Sequence, residues 1–317
     1  MSVGTVPLHV AVAAIFDRQG RVLLARRPEH VHQGGLWEFP GGKLEPGEDV
    51  RHALARELWE ELYIRPAAAR PLIRIPYRYP DRCVLLDVWR VDGYSGRLCG
   101  REGQPLAWVQ PSELARYPLP AANRPIANAV RLPPLYAISA AAQDGVEAFL
   151  SSLQRSLARG IRLIQLRPLL ALDDPGFERL VMASVALAHA AGAKVLLNAA
   201  PDTARRLGAD GVHLNSRRLL ALRARPLGRE YLVAASCHDP AQLEQAAAID
   251  ADFAVYSPVA ATASHPQARP LGWPGFARAV ADAPLPVYAL GGVGPDDLDR
   301  AQRARAQGVA GIGAFWG

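Results

Sequence analysis

The segment Gly41–Ile64, GGKLEPGEDVRHALARELWEELYI, determines the predicted fold of the first part of the chain. From Asp49 onward its apolar residues fall on one stripe and charged residues fill the remaining positions, which is the pattern of an amphipathic helix. The apolar positions are Val50, Ala53, Leu54, Leu58 and Leu62. A glycine-containing loop precedes this helix and brings charged residues next to it.

Three glutamates of this predicted helix share one face. Glu57, Glu60 and Glu61 stand at positions i, i+3 and i+4, within one turn of each other. Like charges at this spacing destabilise a bare helix by roughly 0.2–0.5 kcal/mol per pair. A divalent cation compensates such a cluster, and oxygen-only ligands favour Mg²⁺ or Mn²⁺. The alternative is a solvated acidic helix face, the usual role of a charge run.

The wider spacing of the segment resembles a known motif. Read from Gly42, the order is glycine, five residues, Glu48, seven residues, Arg56-Glu57-Leu58, one residue, Glu60-Glu61, one residue, Tyr63 and Ile64. This order resembles the Nudix box of the nucleoside-diphosphate-linked-X hydrolases, and Tyr63 is the one departure, since the family has glycine there. A glycine at that position normally ends the helix with a positive φ. We therefore expect a reshaped helix end, stopped by Arg65-Pro66.

Two further segments resemble the MutT subgroup of Nudix enzymes, which hydrolyse oxidised purine nucleotides. They are Arg101–Pro105, REGQP, and Pro120–Ile126, PAANRPI, and they accompany WEFPGGK at Trp37–Lys43. The resemblance implies that Glu102 adds a carboxylate to the metal site and that Asn123 binds a guanine-type base. The alternatives are a turn carboxylate for Glu102 and a helix N-cap before Arg124 for Asn123.

The resemblance, which spans about residues 8–131, also implies an activity and a set of roles. The activity is hydrolysis of 8-oxo-dGTP, and of dGTP-type nucleotides more weakly, to the monophosphate and pyrophosphate, which sanitises the nucleotide pool. The alternatives are a Nudix hydrolase of another nucleoside diphosphate derivative, such as an ADP-sugar or a dinucleotide, and a thiamin-pathway protein whose Nudix domain is accessory. The implied metal site comprises Gly41, Glu57, Glu60, Glu61 and Glu102. Arg56 would orient the carboxylates, Glu48 would brace the loop or add an outer ligand, and Glu57 and Glu102 are both candidates for the general base. The substrate-binding candidates are Asn123, Phe39, Glu38, Lys43 and Arg26, with a solvated surface role open for Arg26.

Composition limits the remaining classes of function. The chain has 317 residues, half of them hydrophobic, which is typical of a globular protein with two domains. Its net charge of +6 suits small phosphorylated substrates, and no basic stripe with interleaved aromatic residues indicates a stable nucleic-acid complex. Cys83, Cys99 and Cys237 show no C-x-x-C spacing, which favours reduced thiols in the cytoplasm. The first apolar run is broken at Asp17, so we expect a strand there and no membrane span.

The resemblance to Nudix enzymes implies an α/β/α sandwich with a mixed sheet over residues 1–131. The predicted strands of this domain are 8–16 and 21–26, forming a hairpin, and then 37–39, 71–77, 83–91 and 106–109. A double proline, Pro133-Pro134, interrupts the chain afterwards, and we place the domain boundary there.

The second domain, residues 134–317, alternates short apolar runs with helical patterns. This alternation predicts a TIM-type (β/α)₈ barrel. The predicted strands are 135–139, 163–167, 194–198, 211–214, 231–237, 253–258, 286–292 and 308–315. Because little sequence follows the eighth predicted strand, we expect the barrel to lack its last helix. We expect the first domain, through residues 123–131, or a second subunit in a homodimer to cover that edge.

The ends of these strands resemble thiamin phosphate synthase and its relative TenI. The matching residues include Gln165-Leu166-Arg167, Asn198, Gly211–Leu214 and Gly291–Val293. The backbone amides of Gly291, Gly292, Ile312 and Gly313 form a candidate phosphate site. However, Pro168-Leu169, Ala199-Ala200 and Asn215–Arg217 replace the charged groups that hold Mg²⁺ and a diphosphate in that family. The barrel is therefore expected to bind a phosphate or thiazole-like ligand, or to be structural, with His213 and His238 either transferring protons or packed.

Overall fold

The computed structural model describes residues 7–31, 33–80, 82–140, 142, 145–167, 175–262 and 267–316. The chain forms two compact units, of which the first comprises residues 1–131 with 281–284 and the second comprises residues 132–280 with 285–317. In the first unit the strands and helices are β1 Leu8–Ile15, β2 Val22–Arg26, β3 Trp37–Glu38, β4 Gly41–Lys43, α1 Val50–Leu62, β5 Ile64–Arg78, β6 Cys83–Gly96, β7 Leu106–Val109 and α2 Arg124–Arg131. Two 3₁₀ helices, Pro111–Arg116 and Ala121–Asn123, precede α2.

The first unit contains two small sheets. The larger has the order β4-β1-β6-β5 and is mixed, because β1 runs parallel to β6 and antiparallel to β4. The smaller has the order β3-β2-β7 and is antiparallel. The predicted hairpin of β1 and β2 is therefore wrong beyond a single bridge between Phe16 and Val22. Both edges of β1 are already paired, so β2 has to leave for the second sheet.

Helix α1 forms as its sequence predicts. Asp49 caps it, since its carboxylate accepts hydrogen bonds from the backbone N–H groups of Arg51 and His52 at 2.8 and 3.0 Å. Its apolar stripe is buried on one face of the sheets: Ala53, Leu54, Leu58 and Leu62 pack with Ala11, Ala13 and Ile15 of β1. The glutamates consequently lie along the side of α1 that faces β4.

The C-terminal end of α1 differs from the prediction. Tyr63 adopts the left-handed conformation, with φ 59° and ψ 34°, and its N–H bonds to the carbonyls of Leu58 and Trp59. The helix thus ends in the cap geometry that the expected glycine would give, and the helix end is not reshaped. Arg65-Pro66 does not stop it, because both residues already belong to β5. Proline is tolerated there because β5 is an edge strand with register irregularities after Pro66.

The second unit is a closed barrel of eight parallel strands, as predicted. Its strands are β8 Leu135–Ile138, β9 Leu163–Leu166, β10 Lys194–Leu197, β11 Gly211–Leu214, β12 Leu232–Cys237, β13 Phe253–Tyr256, β14 Val287–Leu290 and β15 Gly308–Gly311. Its helices are α3 Val146–Ala158, α4 Pro175–Ala190, α5 Pro201–Arg206, α6 Ser216–Leu220, α7 Pro240–Ala248, α8 Gly272–Val280 and α9 Leu298–Arg303. Tyr136, Phe253 and Tyr288 fill the interior, with ring centroids 5.2–5.6 Å apart.

The segment after β15 packs on α3. The backbone carbonyl of Phe315 accepts hydrogen bonds from Ser156 Oγ at 2.9 Å and from Arg159 Nη2 at 2.7 Å. The ring of Trp316 lies 4.9 Å from that of Phe149. Residues of the barrel unit itself therefore cover part of the edge for which the sequence predicted an outside partner. In the described part of the chain, no helix is long and apolar enough to cross a membrane.

Candidate active site

Arg56 connects several carboxylates of the site on α1 through hydrogen bonds. Its Nε and Nη2 donate to both oxygens of Glu48, at 3.1 and 2.9 Å. Nη1 donates to Glu57 at 2.9 Å and to Glu60 at 3.2 Å, and Nη2 also reaches the backbone carbonyl of Lys43 at 3.0 Å. The hydrogen bonds that Arg56 donates to Glu48 and then to Glu57 raise the pKa of Arg56. One guanidinium therefore fixes three carboxylates and ties the loop before α1 to the helix.

Glu61 has the most strongly raised pKa of the glutamates on α1. Burial raises its pKa to about 8, and the negative charges of Glu57, Glu38 and Glu102 add to the effect. A hydrogen bond from the backbone N–H of Gly41 opposes the rise. Glu57 also has a raised pKa, again mainly through burial, while Arg56 opposes it. The site thus concentrates negative charge around a carboxylate that is poorly solvated, which is the electrostatic environment of a cation site.

Two glycines let the backbone of β4 approach these carboxylates. A Cβ built on Gly42 would lie 2.1–2.2 Å from the carboxylate atoms of Glu57. Gly41 has φ 146°, and a Cβ there would lie 2.1 Å from the carbonyl oxygen of Ala11. Glycine at both positions is therefore required for the close contact between β4, β1 and the glutamate face of α1.

Glu102 is held near Glu61 by a loop, residues 99–104, that binds the C-terminal end of α1. The backbone N–H of Arg101 donates to the carbonyl of Glu61 at 2.9 Å, and Gln104 Nε2 donates to the same carbonyl at 3.1 Å. The Gln104 side chain in turn accepts from the N–H of Glu102 at 2.9 Å. The loop thus satisfies carbonyls that a helix end leaves unpaired, and it places Glu102 where its charge acts on Glu61.

The acidic side chains of this site suit a divalent cation in charge and in donor type. All of these side chains are carboxylates, the mutual repulsion at Glu61 is of the kind a cation relieves, and Gly42 leaves room beside Glu57. Glu60 is about half exposed and is engaged with Arg56. Among the described residues, no three acidic, histidine or cysteine side chains converge closely enough to hold a metal ion as they stand. The residues fit a hard cation in donor type and charge, with side-chain adjustment needed to bring the oxygens together.

A pocket of about 230 Å³ opens beside the carboxylates. Its walls include Glu38, Phe39, Gly41, Lys43 and Asn123. Asn123 is almost completely buried, and its Oδ1 accepts a 3.4 Å hydrogen bond from the backbone N–H of Phe39. Asn123 is the last residue of a 3₁₀ helix and directly precedes Arg124, the first residue of α2. The structure thus brings Asn123, Phe39, Glu38 and Lys43 to one pocket.

Arg26 does not belong to this group, and Arg27 takes its place. Arg26 donates to the carbonyl of Gly35 and to Glu29, and it is absent from the pocket walls. Arg27 lines the pocket and pairs with Glu38 at 2.5 Å. Neighbouring residues of an extended chain point to opposite sides, so Arg26 and Arg27 do not both face the pocket. Sequence reasoning also missed other polar residues of the pocket, namely Gln33, Tyr79 and Arg82.

In the barrel, the glycines of the candidate phosphate site lie at a close packing contact. Gly291 and Gly292 have φ 94° and 65°, and the carbonyl of Gly291 accepts from the N–H of Ala260 at 2.9 Å. A Cβ on Gly292 would lie 2.4 Å from the carbonyl oxygen of Ala261. Gly313 has open space where its Cβ would be. Because Gly294 lies against Ala314, the loops after β14 and β15 are neighbours, as a shared phosphate site needs.

His213 is a packed residue of the barrel interior. It is fully buried, and burial, with the charge of Arg167, lowers its pKa to about 3. Its two ring nitrogens bond to the hydroxyls of Tyr136 at 3.0 Å and Ser236 at 2.8 Å. His213 is therefore neutral and unsuited to proton transfer. His238 is exposed and bonds through Nδ1 to Ser257.

The mouth of the barrel carries arginine where the resemblance would require acid. Arg218, beside the exposed Arg217, donates from Nη1 to Asn198 Oδ1 at 3.0 Å, and Asn198 Nδ2 donates to Gln165 at 3.1 Å. The departure at Pro168-Leu169 lies outside the described residues. In the part of the mouth that the structure describes, Asn198 is thus fixed between two neutral or cationic partners.

Comparison with known families agrees with this division of the chain. The family model for the NUDIX domain matches residues 11–129, and the family model for thiamine monophosphate synthase matches residues 135–315.

Individual relatives match one unit each. A protein of Escherichia coli K12 named "CTP pyrophosphohydrolase" is 43% identical over 118 residues, which is 37% of this chain and 87% of that protein. An "8-oxo-dGTP diphosphatase" of the same organism is 36% identical over 119 residues, or 38% of this chain and 92% of the relative. For the second unit, "Putative thiamine-phosphate synthase 2" of Aquifex aeolicus VF5 is 33% identical over 186 residues, covering 59% of this chain and 99% of that protein.

Proposed function

Because this chain belongs to the thiamine monophosphate synthase family over its C-terminal domain and is a Nudix hydrolase over its N-terminal domain, we propose that the N-terminal domain is an 8-oxo-dGTP pyrophosphohydrolase. Its products would be the nucleoside monophosphate and pyrophosphate. Its cofactor would be Mg²⁺, for which Mn²⁺ could substitute. Nucleotides of the dGTP type would be weaker substrates.

One observation carries this proposal. The buried carboxylate of Glu61, surrounded by Glu57, Glu38 and Glu102, stands beside a pocket that contains Asn123. Glu38 and Gly41 belong to both the carboxylate cluster and the pocket wall. A nucleoside triphosphate needs this combination, since its base requires a shaped pocket with few polar groups and its phosphates require compensation of charge.

Several residues of the chain would have separate roles in hydrolysis. When bound by Glu57, Glu60, Glu61 and Glu102, with the Gly41 backbone, Mg²⁺ supplies charge neutralisation of the polyphosphate and of the leaving group. Arg56 keeps Glu57 and Glu60 oriented, and Glu48 anchors Arg56. Lys43, which is exposed at the pocket edge, supplies a positive charge for the phosphates.

The general base is one of two carboxylates. Glu57 is partly buried and bonded to Arg56, whereas Glu102 is exposed on its loop. Either one would accept the proton of the attacking water. Replacing each by glutamine and measuring turnover against pH would assign the role, because loss of the base removes the acidic limb of the profile.

The hydrogen-bonding capacity of Asn123 supports a preference for oxidised guanine. Guanine presents two acceptors, N7 and O6, on its major-groove edge, so one amide cannot pair with both atoms. Oxidation at C8 makes N7 a donor, and an amide then pairs with both positions. Asn123 Oδ1 already accepts from Phe39 but keeps a second lone pair for this bond.

A second candidate substrate is a cytosine nucleotide, because the relative of 43% identity is named a CTP pyrophosphohydrolase. Cytosine also presents a donor beside an acceptor, at N4 and N3, so Asn123 fits both bases. The apolar wall of Val10, Val84 and Leu86 favours the purine, since two fused rings bury more apolar surface than one.

The proposal is tested by assaying the full-length protein with Mg²⁺ on a panel of nucleotides. The panel contains 8-oxo-dGTP, dGTP, dATP, CTP, an ADP-sugar and a dinucleotide, and the products are identified as pyrophosphate or phosphate. We expect the highest kcat/KM with 8-oxo-dGTP, release of pyrophosphate, and loss of activity with EDTA. A higher value with CTP would favour the second candidate, and activity on the ADP-sugar alone would refute both.

The barrel has a proposed role of its own as a binding module for a phosphate or thiazole-like ligand of the thiamin pathway. The family match over residues 135–315 and the adjacent loops that carry Gly291, Gly292 and Gly313 support this role. Titration of the protein with thiamin phosphate and with a thiazole phosphate tests it, and absence of binding of both would leave the barrel a structural role.

A further inference from the structure

Tyr63 is the one residue of the motif that departs from the Nudix pattern, and its conformation makes the departure costly. With φ 59° and ψ 34° it lies in the left-handed region, where a side chain crowds the backbone and glycine does not. Its side chain remains 42% exposed, so burial of the ring does not offset this cost. The contacts of the ring therefore need an explanation.

The ring belongs to a stack on the surface of α1. Its centroid lies 4.3 Å from that of Trp59, with 32° between the planes. The guanidinium of Arg101 lies over Tyr63 at 5.4 Å, and that of Arg65 lies over Trp59 at 4.5 Å. These four residues, Arg65, Trp59, Tyr63 and Arg101, form the aromatic stack, which is held by ring stacking and cation–π attraction.

Arg101 connects the aromatic stack to the loop that carries Glu102. Its Nη1 donates to the carbonyl of Trp59 at 3.3 Å, and its backbone N–H donates to the carbonyl of Glu61 at 2.9 Å. Glu102 follows directly and is exposed, so its position depends on the anchors of the loop on either side. Arg101 anchors the loop before Glu102, and Gln104 anchors it after Glu102.

We propose that Tyr63 is a positioning residue for hydrolysis, which holds Arg101 against α1 and so keeps Glu102 beside Glu61. This inference rests on the proposed function, in which Glu102 contributes to the cation site. A glycine at this position would satisfy the helix cap with less strain but would release one anchor of the loop. Tyrosine at this position therefore adds backbone strain but orders the carboxylate of Glu102.

The test compares Tyr63→Gly, Tyr63→Phe and the parent protein in full length. We expect Tyr63→Gly to lower kcat on 8-oxo-dGTP and to weaken Mn²⁺ binding by the nucleotide-free protein, each about tenfold, the scale on which loss of an outer-shell partner acts. KM for the nucleotide should stay within about twofold. Tyr63→Phe keeps the ring and should behave as the parent, and the melting temperature of Tyr63→Gly should not fall, because the strain is removed.

A double-mutant cycle separates positioning from a structural role. In a Glu102→Gln background, Tyr63→Gly should have no further effect on Mn²⁺ binding or on kcat, since both changes act through the same carboxylate. Arg305→Gly is the matched control: Arg305 is also left-handed, with φ 64°, but lies in the barrel unit, and its replacement should change neither quantity.

Two results would overturn the inference: parent-like Mn²⁺ binding and kcat in Tyr63→Gly, or an undiminished effect in the Glu102→Gln background. A protein that hydrolyses no nucleotide but loses Mn²⁺ affinity on Tyr63→Gly, and only when Glu102 is present, would refute the proposed function and support the positioning role.

Discussion

At the scale of single residues, the site depends on charges that are held in unfavourable surroundings. Glu61 binds a proton far more readily than a free glutamate, because it is buried among carboxylates. Arg56 donates hydrogen bonds to Glu48, Glu57 and Glu60. At neutral pH the metal-free protein therefore holds a proton on Glu61, and binding of a cation there would displace that proton.

This electrostatic imbalance predicts a pH-dependent gain in stability for Glu61→Gln. The folded protein keeps a proton on Glu61 between the ordinary pKa of 4.5 and its raised pKa of about 8, whereas the unfolded chain has lost it. Stability of the metal-free parent therefore falls as pH rises through this window. Thermal unfolding without metal should show Glu61→Gln melting about 2 °C or more above the parent at pH 8.5 and closer to it at pH 5.

Mg²⁺ provides the control for that comparison. It should raise the melting temperature of the parent at pH 8.5 and leave Glu61→Gln nearly unchanged, because the variant lacks the charge that the cation compensates. Equal melting temperatures for the two proteins at both pH values would contradict the raised pKa of Glu61.

Asn123 predicts a selective loss of activity. Asn123→Ala removes the amide that would pair with the base, and a single lost recognition bond of this kind costs roughly 1–3 kcal/mol. We expect kcat/KM for 8-oxo-dGTP to fall about tenfold or more and that for dATP to change little. Equal losses on 8-oxo-dGTP, dGTP and dATP would show that Asn123 supports the pocket through Phe39 and does not read the base.

Residue spacing predicted the carboxylate face of α1 well, because helical geometry fixes which side chains are neighbours. It did not predict that Arg27 would line the pocket in place of Arg26. Which of two adjacent arginines faces the pocket depends on where β2 ends and on the pairing of Arg27 with Glu38, and neither is visible in local sequence.

At the scale of secondary-structure elements, α1 and its two flanking loops form the structural unit that carries the carboxylate site. The Asp49 cap begins the helix, Arg56 ties the preceding loop to it, and residues 99–104 bind its last carbonyls. The sequence predicted this helix because the cap residue, the apolar stripe and the acidic face all indicate the same helix. The β1–β2 hairpin failed because a turn signal says nothing about which strands occupy the edges of β1.

The cap gives a prediction at this scale. Asp49→Ala removes an acceptor for two backbone N–H groups, so it should lower the free energy of unfolding of the N-terminal unit. Asp49→Asn retains the acceptor and should lose less, which thermal or denaturant unfolding will measure. An equal loss in both variants would assign the effect to the ion pair between Asp49 and His52.

At the scale of the whole molecule, two units of different character share one chain. The closed barrel was predictable because eight apolar runs separated by helical patterns leave few alternative topologies. The packing of Phe315 and Trp316 on α3 was not, since it depends on contacts between residues more than 150 positions apart. The depleted mouth of the barrel contrasts with the dense carboxylate cluster of the first unit.

This contrast predicts that the barrel does not synthesise thiamin phosphate. Ala199-Ala200 and Asn215–Arg217 supply no carboxylate for Mg²⁺, and the recorded side-chain partners of Asn198 are Gln165 and Arg218. An assay with the pyrimidine diphosphate, the thiazole phosphate and Mg²⁺ should yield no product under conditions in which an authentic synthase is active. Product formed at a comparable rate would place a second active site in the barrel.

The most direct test of the central claim is pyrophosphate release from 8-oxo-dGTP by the full-length protein and by the double variant Glu60→Gln and Glu61→Gln. Glu113→Gln, on a surface 3₁₀ helix away from the site, serves as the control. We expect Mg²⁺-dependent release by the parent and the control, and a loss of at least about a hundredfold in the double variant. Undiminished release by the double variant would contradict the assignment of catalysis to the carboxylates of α1.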